Sequence, residues 1–65
     1  MLKLHVEKME RERGRLGFSK AEVERRAKLK QSAYSKIILR RATSISTLSR
    51  LADALYLDPK DLLIN

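Results

Sequence analysis

The sequence predicts an all-α domain, a compact bundle of five short helices, and three observations lead to that prediction. The chain has 65 residues and no cysteine, so it is long enough for one domain, residues 1–65, held together by packing rather than by disulfides. Only two glycines and one proline are present, which leaves little room for loops. Apolar residues recur at spacings of three and four, and no stretch shows the sustained alternation of a half-buried strand.

The first helix is predicted over residues 2–13. Leu2, Val6 and Met9 share one face at spacings of four and three, and Glu7 can pair with a basic residue one turn later, at position 11. Gly14 is the expected stop, because glycine is the residue that most easily ends a helix. Gly17 then lies in a short connection, where it can adopt a positive φ.

The second helix has the clearest start signal in the chain. Ser19 is the expected N-cap, and Glu22, three residues later, completes the pattern of a capping box. We expect the helix to end near Ala27 or Lys28. Two pairs at a spacing of four are expected on its solvent side, Glu22–Arg26 and Glu24–Lys28.

Three further elements complete the bundle. Residues 31–39 are predicted to form the third helix and residues 40–43 a loop. Ser44 is a candidate cap for the fourth helix, whose apolar residues recur at a helical spacing. Asp58 can cap a final short helix, with Pro59 at its first position.

The net charge of +7 is concentrated in the middle of the chain. Residues 13–41 contain ten basic residues against two acidic ones, a net of +8, and the rest of the chain has a net of −1. A basic block of this kind on a small domain indicates a polyanionic partner, most often nucleic acid. The alternative is a solvated basic surface kept for solubility, which does not by itself require clustering.

The second and third predicted helices have apolar residues at the spacing of two helices that cross and pack together. With Lys20 as the first position, small or apolar residues stand at the fourth, eighth, tenth, fifteenth and eighteenth positions, where two crossing helices pack together. The chain resembles the Cro/lambda-repressor-like family of helix-turn-helix proteins, also called the XRE type. The segments that match are Gly17-Phe18-Ser19-Lys20, Leu29 to Ile37, Ser44 to Leu55, and Leu57 to Leu63.

The resemblance implies that the chain binds double-stranded DNA with its third helix in the major groove. Carried over by position, the residues expected to contact bases are Gln31, Ser32, Ala33, Ser35 and Lys36. Those expected to contact phosphates are Ser19, Lys20, Lys28, Lys30, Arg40 and Arg41. We therefore expect a sequence-specific transcriptional regulator, a repressor of the phage Cro kind, that acts as a homodimer, at least on DNA.

Two positions depart from the family's pattern. Lys28 stands where the family usually has the glycine of the turn, and Glu24 stands where it favours alanine. A wider turn or a different crossing angle between the two helices is therefore expected.

Other function classes have less support in the sequence. One histidine and no cysteine do not form a metal site, and neither a nucleophilic triad nor a glycine-rich phosphate loop is present. We therefore expect no enzyme activity, cofactor, metal or small-molecule substrate. The chain has no long apolar run, which indicates no membrane span and a cytoplasmic protein. A protein-interaction module, antitoxin-like or adaptor-like, is the main alternative, and a basic RNA-binding module has weaker support because aromatic residues are few.

Overall fold

The computed structural model describes residues 1–64 and is mostly helical, but it is not all-α. The bounds of its α-helices are α1 (Val6–Leu16), α2 (Lys20–Arg26), α3 (Ala33–Arg40) and α4 (Ile45–Ala54). A 3-10 turn (Pro59–Leu62) follows α4, and two short strands are also present, β1 (Leu2–Lys3) and β2 (Ala42–Thr43). Four α-helices and one 3-10 turn in residues 1–64 thus replace the five predicted helices.

The N-terminal residues form a strand where a helix was predicted. Strands β1 and β2 pair antiparallel, with Leu2 opposite Thr43 and Lys3 opposite Ala42. The backbone of residues 3–5 also bonds to the end of the chain, since the His5 N–H donates to the Leu62 carbonyl at 2.7 Å. Backbone groups committed to distant segments cannot form helical bonds. The loop predicted at residues 40–43 is also wrong, because residues 42–43 form β2 and pair with β1.

Helix α1 begins later and ends later than predicted. Its first residue is Val6, because His5 acts as the N-cap and accepts a hydrogen bond from the Lys8 N–H at 3.2 Å. It continues through Gly14 to Leu16, so Gly14 is not its stop. Gly17 ends the helix in the left-handed conformation (φ 73°), which confirms its predicted positive φ.

The predicted caps of the later elements are confirmed. Ser19 accepts a hydrogen bond from the Glu22 N–H, and Ser44 accepts one from the Thr47 N–H. The capping box of α2 is only half formed, because the Glu22 carboxylate bonds to arginines one turn later. Asp58 caps the last segment, which is a 3-10 turn.

One hydrophobic core joins all the helices. Its most deeply buried large side chains lie on every helix and on the segments at both ends of the chain: Leu4, Met9, Val23, Tyr34, Leu48, Leu51, Leu55 and Leu62. The side chain of Tyr34 is fully buried, as its position in the helix pair predicted. Within residues 1–64 no helix is long and apolar enough to cross a membrane.

Candidate nucleic-acid interface

The turn between α2 and α3 has the backbone conformation that glycine usually provides. Lys28 has a φ of 58°, and the Leu29 N–H donates to the Glu24 carbonyl at 2.8 Å. The Arg50 guanidinium, from α4, donates to the Lys28 carbonyl at 3.2 Å. Lys28 therefore adopts the left-handed turn at a conformational cost of about 1 kcal/mol.

Glu24 caps α3 from the neighbouring helix. Its side chain is buried, with only 7% of the residue exposed, and Oε2 accepts a hydrogen bond from the Tyr34 N–H at 3.0 Å. Ser32, directly before α3, is in the left-handed conformation and forms no side-chain cap. Glu24 therefore satisfies an amide at the start of α3 that would otherwise have no acceptor. The predicted surface pair Glu24–Lys28 is wrong, and this cap gives a reason for a carboxylate at a position where the family favours alanine.

Tyr34 ties α3 to α1 through a polar network. Its hydroxyl donates to Glu10 Oε2 at 2.7 Å, and Arg13 Nε donates to the same oxygen at 2.8 Å. Arg13 also donates to the Phe18 carbonyl at 2.9 Å. The Arg13 guanidinium lowers the pKa of Glu10, whereas burial and the bond to Glu10 raise the pKa of Tyr34. Hydrogen bonds thus hold α3 to two other helices, through Glu24 of α2 and through Glu10 of α1.

The predicted base-contacting residues lie on and just before the exposed side of α3. Tyr34 and Ile37 face the core, and Ser35 and Lys36 are exposed. Because α3 begins at Ala33 rather than at residue 31, Gln31 and Ser32 lie in the preceding turn, where both are exposed. Ala33 is half-buried at the first position of the helix. One continuous surface of turn and helix therefore contains all of the predicted base contacts except most of the Ala33 side chain.

The residues predicted to contact phosphates are all exposed. They lie at the start of α2 (Ser19 and Lys20), in the turn (Lys28 and Lys30), and at the end of α3 (Arg40 and Arg41). They thus flank the base-contacting set along the chain. Arg41 is a special case, because its guanidinium forms an ion pair with Glu7 of α1.

The cations of residues 20–41 form two groups, those with an ion-pair partner and those without one. Arg25 and Arg26 of α2 both bond to Glu22, and Arg41 bonds to Glu7. Within residues 1–64, no carboxylate lies within salt-bridge distance of the others, which are Lys20, Lys28, Lys30, Lys36 and Arg40. Each of these five is also exposed. Within residues 20–41, every cation without an ion pair therefore belongs to the predicted DNA surface.

The structure adds one cation that the sequence did not indicate. Lys3 lies opposite Ala42 in the small sheet and lines an open pocket together with Arg40 and Arg41. Since residues 2–13 read as a helix by periodicity, no signal in the sequence placed Lys3 beside the end of α3. Its position makes it a further candidate for a phosphate contact.

A group of metal-binding side chains is not found in the described part of the chain. Among residues 1–64, no three histidine, cysteine, aspartate or glutamate side chains are grouped so that they could hold a metal ion. The helix pair with its exposed basic surface is therefore the strongest candidate site within those residues.

Comparison with known families agrees with this geometry. A family model described as helix-turn-helix matches residues 8–62, which includes all four α-helices apart from the first two residues of α1. Searches of curated proteins and of solved structures returned no match. The match covers most of the chain and includes the α2–turn–α3 unit. The chain therefore belongs to the XRE-type helix-turn-helix family of DNA-binding regulators.

Proposed function

We propose that this protein is a sequence-specific repressor of the phage Cro kind, which inserts α3 into the major groove of operator DNA. The observation that supports the proposal is the exposed polar surface of the turn and α3, combined with cations that have no partner among residues 1–64. The bonds from Glu24 and Tyr34 hold that surface in one geometry. A pre-organised polar helix can discriminate bases, because misplaced donors and acceptors lose their partners.

The proposed base contacts follow from the chemistry of the side chains. The Gln31 amide can donate and accept at once, which suits the N6 and N7 groups of adenine. Lys36 suits the O6 and N7 acceptors of guanine, and Ser35 can donate to either purine. The exposed part of Ala33 can touch a thymine methyl. Ser32, in the turn, completes the set.

Phosphate contacts are proposed on both sides of that surface. Lys20 extends from the start of α2, and Lys28 and Lys30 extend from the turn. Arg40 lies at the end of α3. Such contacts supply salt-dependent affinity and fix the orientation of the protein on the duplex. Arg41 can join them by exchanging its exposed bond with Glu7, since exposed ion pairs contribute little to stability.

We propose that two copies bind one operator. A single domain of this size buries about 600–1,000 Å² on DNA, which gives modest affinity. Two copies on half-sites about 34 Å apart would add their binding energies and fix the operator's symmetry. Occupying a promoter in this way would exclude polymerase. Candidates for the contact between copies are the apolar residues that exceed what so small a core needs, Ile38, Leu39, Tyr56 and residues 62–64. Of these, Leu39, Tyr56 and Ile64 are exposed.

Selection from a random duplex library tests the proposal. The protein is incubated with the library at about 150 mM salt, bound duplexes are sequenced, and affinity for the recovered site is measured over a range of salt. We expect a two-fold symmetric site and a steep loss of affinity as salt rises. Recovery of unrelated sequences, bound no better than the starting library, would contradict the proposal.

A protein-interaction function remains the second candidate, and one observation favours it. Tyr56 is 67% exposed and Ile64 is 46% exposed, so the apolar surface of both side chains is open to a protein partner. A complex formed through such side chains would depend weakly on salt, whereas DNA binding through several phosphates depends on it steeply. The same salt titration therefore distinguishes the two functions.

A further inference from the structure

Leu39 is the most exposed large apolar side chain in residues 1–64. It lies in the last turn of α3 and is 84% exposed. The core does not account for this leucine, because the buried side of α3 is supplied by Tyr34 and Ile37. The side chain of Leu39 gains almost nothing from burial in the free protein, so its apolar surface is available to a bound partner.

The position of Leu39 on the helix links it to the proposed base contacts. Residues three and four apart are neighbours on a helix surface. Leu39 is four residues after Ser35 and three after Lys36, so it lies one turn further along the same exposed face. It is therefore the apolar member of a face whose other exposed members are polar or basic.

The charge around Leu39 decides what kind of partner fits. Lys36 and the adjacent Arg40 are exposed and have no ion-pair partner among the described residues. An apolar protein surface placed on Leu39 would have to desolvate these two cations without compensation. A DNA groove offers phosphates to the cations, and its floor presents one apolar group in the major groove, the C5 methyl of thymine.

We propose that Leu39 is a specificity-determining residue that contacts the C5 methyl group of a thymine in the major groove. This inference rests on the proposed function and adds a base preference to it. Ala33 is six residues away, about 9 Å along the helix axis, so the two side chains would contact different base pairs. The operator should accordingly contain a thymine whose methyl group contributes to binding only when Leu39 is present.

Replacing thymine by deoxyuridine tests the proposal one methyl group at a time. Each thymine of the selected operator is replaced in turn, which removes the methyl group and leaves base pairing intact. Affinities are measured for the wild type and for Leu39→Ala. For the wild type, one replacement should weaken binding about fourfold, the value of one buried methyl group. For Leu39→Ala, the same replacement should change affinity by less than about 1.5-fold, because the contact is already absent.

The matched control is Ile45→Ala. Ile45 is also exposed, at 70%, but it begins α4 and lies outside the α3 face. The variant should keep the full fourfold penalty at the same thymine. Both variants should fold, because alanine favours helices and neither side chain is buried.

The outcomes separate this inference from the function on which it rests. If selection recovers a specific operator but no thymine shows a penalty that depends on Leu39, the inference is wrong and the proposed function stands. A change of oligomeric state in Leu39→Ala, with the thymine penalty retained, would equally overturn it in favour of a contact between copies. If no specific operator is recovered, the proposed function itself fails.

Discussion

Helices α1 and α3 use charged residues in opposite ways. In α1 the acids bond to arginines: Glu10 to Arg13, Glu12 to Arg15, and Glu7 to Arg41 across the fold. In α3 there is no acidic residue, and neither Lys36 nor Arg40 has an ion-pair partner within residues 1–64. The acidic side chains of α1 stabilise the fold through ion pairs, whereas the charge on α3 stays available to a polyanion.

The difference teaches that the basic block of the sequence contains two kinds of cation, those used in ion pairs and those available to a partner. Residues 13–41 have a net charge of +8, but five of the ten cations in that block bond to Glu7, Glu10, Glu12 or Glu22. Removing the paired cations from consideration leaves five, and every one of them was predicted to contact bases or phosphates. The following predictions test whether α3 is held as described and whether its charges act as described.

The largest effect is expected from Glu24→Ala. Loss of the carboxylate leaves the buried Tyr34 N–H without an acceptor, which should lower the free energy of unfolding by about 2–3 kcal/mol. Glu24→Gln is the matched control, because its amide oxygen can still accept the bond, and it should lose less than half as much. Denaturant unfolding measures both. Equal losses in the two variants would show that the cap does not stabilise α3.

Tyr34→Phe should have the next largest effect. It removes the bond from the hydroxyl to Glu10 while keeping the buried ring, and we expect a loss of about 1.5 kcal/mol, typical of a hydrogen bond to a charged group. Tyr56→Phe is the control, since Tyr56 is the only other tyrosine and is exposed. Its change should stay within about 0.5 kcal/mol. Thermal unfolding measures both variants, and equal losses of stability would contradict the role of the network.

A smaller effect, confined to acid pH, is expected at Glu10. The Arg13 guanidinium lowers the pKa of Glu10 below its usual 4.5 in the folded state. Its ionised form therefore stabilises the fold above about pH 4.5, and that stabilisation is lost as the pH falls through the lowered pKa. The difference in unfolding free energy between wild type and Glu10→Gln should be constant from pH 6 to 7 and smaller near pH 3. A difference that grows on acidification would contradict the ion pair.

The smallest effect is expected at the turn. Lys28 has a φ of 58°, which costs a side-chain-bearing residue about 1 kcal/mol or more. Lys28→Gly should therefore stabilise the fold by about 0.5 kcal/mol after the added freedom of the unfolded chain is subtracted. Lys28→Ala keeps the strain and should give no gain. Urea unfolding measures the difference in stability between the two variants. Equal stability would show that the turn is not strained.

The sequence predicted the elements whose signals are local. The caps Ser19, Ser44 and Asp58 each act within three residues, and all three are confirmed. The buried position of Tyr34 followed from helical spacing. Errors arose where distant backbone decided the outcome, as in residues 2–5, whose backbone pairs with residues 41–43 and 62–64.

The candidate site was also predicted only in part, because some of its contacts join residues that are distant in the sequence. Family resemblance supplied the DNA-facing positions, and the family itself is confirmed by the match over residues 8–62. The role of Glu24 could not be predicted, because its partner Tyr34 is ten residues away on another helix. Lys3 was missed because its place beside Arg40 depends on the small sheet. The individual base and phosphate contacts stay predictions.

The central claim is that the position of the unpaired cations, rather than total charge, creates the DNA interface. Two double variants with the same net charge test it: Lys36→Gln with Arg40→Gln on α3, and Lys8→Gln with Arg11→Gln on α1. The slope of log affinity against log salt is measured for each on the selected operator. The account predicts that the α3 variant loses at least about 0.9 units of slope, the value of the one phosphate contact proposed for Arg40, and the α1 variant loses almost none. Equal losses in the two variants would contradict it.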